Sequence, residues 1–557
     1  MRMRDLSVTA AVALLLVGCA SEGRRQGDTK SGEEARLFAG MGHHHRPIST
    51  QNKSAAKYFD QALTWTFAFN HDEAIRSYRE AARLDPNLAM AWWGVALCNG
   101  PHINNPMMSP EMTAAAWDAL QKAQALSKSA SPVERDLINA LSKRYANPNP
   151  PDRSPLDKAY ADAMAAVWRA HPDDNDVGTL YAEALMDLQP WDLWTQDKQA
   201  KGNTREILAV LETVLKRDSN HPGANHLYIH SVEASAHADL AVASANRLRT
   251  LVPAAGHLVH MPAHIDVHVG GWAAAAETNE AAIKADAKYR AQRPKQGFYN
   301  IYMAHNHQFL AWAAMMEGRR AVAQKAAANM VAGVPAEFVK ESPALVDPVV
   351  TLPLDVMMRF GLWDEILKQP SPSENLPISI AMWRFTRGVA QAALGDVKSA
   401  LTEQSAFRAA AAKVPADAMM SINKAHQVLE IAEHVLAGEI AFRDGRIDDA
   451  VKELEAGVRL EDQLRYMEPP EWIQPVRHTL GAVLMSAGRY EQAKSVYESD
   501  LKVWPENGWS LYGLSSCLRE LGAATDADAV ERRFKKAWSR ADTTIGTTCL
   551  CVTKSAK

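Results

Sequence analysis

The chain has 557 residues and a mass of 61.1 kDa, a length that predicts three or four domains at about 150 residues each. Charged residues at 23% and hydrophobic residues at 47% exclude disorder throughout. Lys+Arg 61 against Asp+Glu 65, a net charge of −4, lacks the basic excess of a nucleic-acid binder, so no nucleic-acid partner is expected.

In chain order, the first element is Met1-Arg2-Met3-Arg4 followed by the apolar run Val8 to Val17. About ten to twelve apolar residues fall short of a ~30 Å hydrocarbon core, so the run reads as the core of a signal peptide over 1–18. Leu16-Val17-Gly18-Cys19 resembles the bacterial lipobox. That resemblance implies that Cys19 carries the lipid, and Ala20 after it implies an outer-membrane address facing the periplasm, with the acyl chains as the membrane anchor. Residues 19–53 are polar and non-periodic, a tether ending in the His-rich arm Gly42-His43-His44-His45-Arg46-Pro47.

From residue 54 a repeated grammar begins. Its clearest copy runs from Gln474-Pro475 to Pro505, with Leu480-Gly481, then Gly488-Arg489-Tyr490-Glu491-Gln492-Ala493 and Tyr497. Gly481 and Ala493 let two antiparallel helices approach, and Gly488 turns the chain between them. Asn70 to Ala74 with Tyr78, Ala81 and Pro86 is another copy, and Gly270, Gly318, Gly395, Gly445 and Gly522 each precede an alanine by five residues. This pattern is similar to the 34-residue tetratricopeptide repeat (TPR), which implies an all-α fold, a TPR-type α-solenoid of antiparallel helix pairs. Breaks in the grammar predict an N-terminal array over 54–368, a linker over 369–379, a C-terminal array over 380–540 and a tail over 541–557.

Ten of the 19 histidines lie between residues 221 and 307. His221 precedes Pro222 in a turn and reads as structural; the other nine are expected on three successive first helices. At ~100° per residue His226, His230, Glu233 and His237 share one face, as do His257, His260, His264 and His268. Of His305 and His307, two apart, only one can share a face. In a TPR the second, fifth, ninth and twelfth residues face the concave groove. Starting the repeats at Pro222, Gly256 and Ala304 places His226, His230, Glu233, His257, His260, His264 and His305 at such positions. Two His-x-x-x-His pairs with one carboxylate suit a divalent transition metal, zinc or copper foremost, with nickel also possible, and not calcium or magnesium. A groove of histidines recognising a peptide carboxylate, and plain polar surface, are the other readings. Pro262 predicts a helix start near Val259 to Met261, leaving His257 and His260 on an entry turn.

Other residues are weaker candidates. His43 to His45 either dip into the groove or form a solvated arm; His71 and His102 sit in turns. Trp191, Asp192 and Trp194 open a non-repeat insertion that reads as packing or as a wall of the site. Cys98 and Cys517 read as core residues, and His426, His434 and His478 as structural. Cys549 and Cys551 could pair together, pair with another molecule or take a soft metal. There is no His-Glu-x-x-His, Gly-x-Ser-x-Gly, P-loop, GxGxxG or Cys-x-x-Cys-His motif.

The blocks GMGHHHRPIST (40–50), FAFNHDEAIRSYREAARLDP (67–86), GPHINNPM (100–107), PWDLWT (190–195), HPGANHLYIHSVEAS (221–235), GHLVHMPAHIDVHVGGW (256–272) and YMAHNHQFL (302–310) carry a further likeness, as do RFGLWDEIL (359–367) and PENGWSLYGL (505–514). In these blocks the chain resembles a bacterial and fungal group of His-rich TPR-domain proteins, whose blocks hold the same His pairs; the resemblance implies no reaction. The expected function is an exported lipoprotein with a His-coordinated metal centre, a hydrolase or an oxidase, taking a peptide or small-molecule ligand in its groove. The alternative is a non-catalytic scaffold or metal-binding protein of the cell envelope.

Overall fold

The computed structural model describes residues 35–334 and 336–552. The expected signal peptide, Cys19 and most of the tether lie outside the described residues. Among those described, the fold is all-α, a TPR-type helical solenoid; its only strands are Met419–Met420 and Asn423–Lys424, paired antiparallel. No described helix is long and apolar enough to cross a membrane.

The repeat turns form for the reason the glycine spacing suggests. Gly395, Gly445, Gly488 and Gly522 all have φ between 70° and 89°, the left-handed region that closes a helix C-terminus. After each, the next amide N–H donates to a carbonyl five residues earlier at 2.9 Å, as from Arg446 to Ala441 and from Arg489 to Leu484. A second device is small-against-large packing between paired helices. A Cβ on Gly94 would lie 2.4 Å from the Tyr78 ring, and one on Gly481 would lie 2.4 Å from Tyr497.

The chain divides into two compact units, residues 23–265 with 278–306, and residues 266–277 with 307–557. In the first, the helices Lys53–Phe67, His71–Leu84 and Ala89–Cys98 enclose Phe59, Trp65, Tyr78 and Trp93. Asn70 caps His71–Leu84 by accepting the Glu73 amide N–H, and Asp72 and Glu73 in the first turn complement the helix dipole. In the second unit a core of Phe385, Phe407, Leu436, Leu454 and Tyr497 runs through the helix pairs between Pro377 and Ala537. The Pro-rich segment 369–379 lies within this second unit. Thr548, Cys549, Cys551 and Val552 are buried in it, so the expected tail is ordered at least to Val552. Cys98 and Cys517 are buried free thiols, and Cys549 pairs with Cys551 as a disulfide.

Candidate metal centre

The first unit gathers six of the expected histidines from four helices. Pro222–Val232 begins with proline at its first position, where the missing N–H costs nothing, and His221 caps it by accepting the Ala224 amide N–H at 3.1 Å. Every residue of this helix is buried, which is why it shows no amphipathic period. His226 and His230 stand one turn apart on it.

The next segment corrects the expected helix start. A short helix spans Gly256–His260, Met261 interrupts it, and a second helix spans Pro262–His268. Proline 262 ends the first segment because its ring crowds the preceding turn, but His257 and His260 are already helical. Gly256 is required here, since a Cβ would meet Asp286 Oδ1 at 2.0 Å. His305 comes from Asn300–Met316.

Two triads result. The ligand-capable nitrogens of His226, His230 and His257 lie within 4.8 Å of one another, and so do those of His260, His264 and His305. In the first triad His226 Nε2 and His257 Nε2 are 3.1 Å apart. In the second, His260 Nε2 and His264 Nε2 are 2.9 Å apart. The far side of four rings meets oxygen. His226 Nδ1 lies 2.7 Å from the Phe67 carbonyl. His260 Nδ1 lies 2.8 Å from Asn279 Oδ1. Glu233 spans the triads, with Oε1 3.1 Å from His230 Nδ1 and Oε2 3.1 Å from His264 Nδ1.

These contacts assign tautomers. A carbonyl or carboxylate oxygen only accepts, so Nδ1 of His226, His230 and His260 donates and Nε2 of each carries the lone pair, while His264 Nδ1 stands at ion-pair distance from Glu233. This is the arrangement of metal-ligating histidine, whose other ring N–H is held by a carbonyl or carboxylate. Burial, with His230 the next cause, holds His226 well below the usual imidazole range. Burial with His226 does the same to His257, and burial with His305 to His260. These imidazoles are therefore neutral and able to bind a cation.

The strip is not an open groove. His226 and His260 are 0% exposed, His257 2%, and His230 and His264 4%. Phe69 covers the first triad, its ring 4.6 Å from His226 and stacked 5.8 Å from His257. Phe69 has φ 55° and occupies the turn position that glycine fills elsewhere, at a cost of about 1–2 kcal/mol for a residue with a Cβ. Trp191 meets His230 edge-on at 5.0 Å, as expected of a wall. His230, Trp191, Ile103, Met186, Gln189 and Leu193 border a small crevice with room for about one water molecule.

Several expected participants lie elsewhere. His237 is exposed and off the helix, which ends at Val232 with Glu233 as its C-cap. His268 belongs to the other unit, where it pairs with Glu468 and Tyr466. His44 of the arm meets Asp176 at 2.9 Å, beside His221 and Arg46. That His44–Asp176–His221 group is a neutralised network: His221 Nδ1 accepts its cap, so its Nε2–H already serves Asp176, and Arg46 supplies the cation. His45 pairs with Asp60, and His43 is exposed. His102 is buried and His71 half-buried, with rings 4.6 Å apart, and His102 lies 4.7 Å from Phe69. Burial pushes His71 down to about 4. Neither belongs to a triad. His478 is held by Asp500 and Arg359, a structural role as expected. Sequence reasoning misses Phe69 and Asn279. The signal for Phe69 is present, because it precedes Ala74 by the five residues that separate glycine from alanine in the other turns.

No protein-family model matches the chain, and no curated protein is similar to it at a significant level. Among solved structures it is similar to a human IFIT1 dimer with m7Gppp-AAAA, at 12% identity over 88% of this chain and 91% of that one, with a TM-score of 0.31. It is also similar to the Cut9-Hcn1 hetero-tetramer of the APC/C (12% identity, 88% and 74% covered, TM-score 0.29) and to yeast Tom70 (11%, 87% and 90%, 0.28). The fold and the site together define a TPR-type helical-repeat protein with a buried imidazole cluster. That class rests on the helix pairs and the histidine geometry, not on these distant likenesses.

Proposed function

We propose that the chain is an exported, lipid-anchored TPR-type protein of the bacterial cell envelope, holding zinc or copper on the buried histidines and acting there on a small molecule as a metal-dependent hydrolase or oxidase. One observation carries the metal: three buried imidazoles, His226, His230 and His260, spend Nδ1 on oxygen acceptors and turn their Nε2 lone pairs toward neighbouring imidazoles. His260 Nε2 and His264 Nε2, 2.9 Å apart, are close enough to share a proton or a cation. A metal about 2.0–2.1 Å from each nitrogen would set them about 3.3 Å apart, a small adjustment. Glu233, expected as a ligand, accepts from His230 Nδ1 through Oε1 and sets Oε2 3.1 Å from His264 Nδ1.

Burial favours a small molecule over a peptide, because five of the six imidazoles are 0–4% exposed and His305 is half-buried. The crevice beside His230 offers room for about one water molecule next to the first triad. Three imidazoles leave a coordination position for water or substrate, from which a metal lowers the pKa of bound water or binds an oxidant. The lipid anchor and envelope location rest on the Leu16-Val17-Gly18-Cys19 signature alone.

Elemental analysis of the purified chain tests the metal directly. Stoichiometric zinc, copper, nickel or iron, lost in His230→Ala with His264→Ala, is expected. Metal-free protein whose affinity is unchanged by those substitutions overturns the reading. Mass spectrometry of the membrane fraction should find the acyl groups on Cys19.

A further inference from the structure

We infer that the cluster holds two metal ions per chain, one on His226, His230 and His257 and the other on His260, His264 and His305, tied together by Glu233. This rests on the metal reading above and adds a second position to it. Six imidazoles exceed the four donors of a tetrahedral ion and the three of an open site. They divide without remainder into two groups of three, each with its own short nitrogen pair, at 3.1 Å and 2.9 Å. The split follows the chain: His257 and His260 both lie on Gly256–His260, yet His257 turns to the helix Pro222–Val232 and His260 turns to His264 and His305.

The groups are neighbours. His230 and His264 rings are 5.8 Å apart, and those of His257 and His260 are 6.1 Å apart. Nδ1 is committed to an oxygen acceptor in His226 and His230 of one triad and in His260 of the other, and His264 Nδ1 lies 3.1 Å from Glu233 Oε2. Each triad thus supplies three imidazole nitrogens within 4.8 Å of one another, the set a three-histidine site needs. Glu233 gives one oxygen to each triad and is 1% exposed. Its single charge orients one ligand of both positions, so it couples them without entering either.

The probes are Zn(II) and Cu(II), each added alone to the purified full chain and followed by dialysis and elemental analysis. Two ions per chain are expected. His226→Gln with His257→Gln should lower the count from two to one, and His260→Gln with His264→Gln should do the same from the other side. Because buried substitutions can disturb folding, the unmodified chain supplies a second measurement. Its Cu(II) electron-spin signal should grow up to one equivalent and then broaden or weaken as the neighbouring position fills. One ion per chain at saturation, with no change in the spin signal beyond one equivalent, overturns the two-ion inference but leaves the metal reading standing. No ion at all overturns both.

Discussion

Replacing Glu233 by glutamine tests the hydrogen-bond logic of the site with almost no change of shape. The carboxylate accepts from His230 Nδ1 at 3.1 Å through one oxygen, and its other oxygen lies 3.1 Å from His264 Nδ1. Glutamine offers one oxygen and one NH₂ group, so it can accept from only one ring. The other ring then faces a donor. To avoid an N–H against N–H clash it must move its proton to Nε2, which is the atom a metal needs. Loss of such a partner typically weakens metal binding 10- to 100-fold, about 1.4–2.7 kcal/mol. One triad should lose that much, and the other should lose less, through the missing negative charge alone. The assay is competition for Zn(II) against a chromophoric chelator, with circular dichroism confirming helicity. Metal-free Glu233→Gln should melt no earlier than wild type, since a buried charge is removed without leaving a cavity. Unchanged zinc affinity in a fully helical variant would refute the claim that Glu233 orients these ligands.

Phe69→Ala should open the cover of the first triad and cost about 3–5 kcal/mol of packing; Phe69→Gly should recover roughly 1 kcal/mol of that through its left-handed backbone, read as a smaller drop in Tm. Gly481→Ala places a Cβ 2.4 Å from the Tyr497 ring and should cost about 1–3 kcal/mol, whereas Gly445→Ala has free space but φ 78° and should cost about 1–2 kcal/mol; equal Tm for wild type and Gly481→Ala would contradict the packing account. Burial pushes Glu439 up to about 8. Folded protein therefore keeps a proton that the unfolded chain releases above about 4.5, so stability from this group is lost as pH rises from there to about 8, roughly 3 kcal/mol by pH 7. Glu439→Gln should abolish that alkaline loss, raising Tm at pH 8 and leaving it nearly unchanged at pH 4.5; a wild-type gap independent of pH would refute it. Zn(II) at 1,000 times its Kd should stabilise the first unit by about 4 kcal/mol, seen as a chelator-reversible rise in Tm.

Much of this architecture is local and therefore readable along the chain. A left-handed turn needs glycine, close helices need a small residue against a large one, and a helix start needs an oxygen cap; each is a short-range requirement that leaves its residue type in the sequence. His226 with His230 and His260 with His264 belong to this kind, since a four-residue spacing projects two side chains together whatever surrounds them. The repeat register even brought His257 and His305 to the same strip from separate turns.

The division of that strip was decided by tertiary contact. Whether Nδ1 or Nε2 points inward depends on the Phe67 carbonyl, 159 residues from His226 in sequence, and on Asn279, 19 residues from His260. No periodicity reports such a partner. Glu233 has the spacing of a ligand, yet its oxygens stand behind the rings of His230 and His264. His237 has the angle of a ligand, but the helix stops at Val232. The closed character of the site came the same way, from Phe69 and Trp191 reaching over it out of loops with positive φ. Sequence alone determined which side chains each helix offers, because helical spacing is set by the backbone. Only the folded chain determined what stands behind each of them, because that is settled by segments far apart in sequence meeting in space.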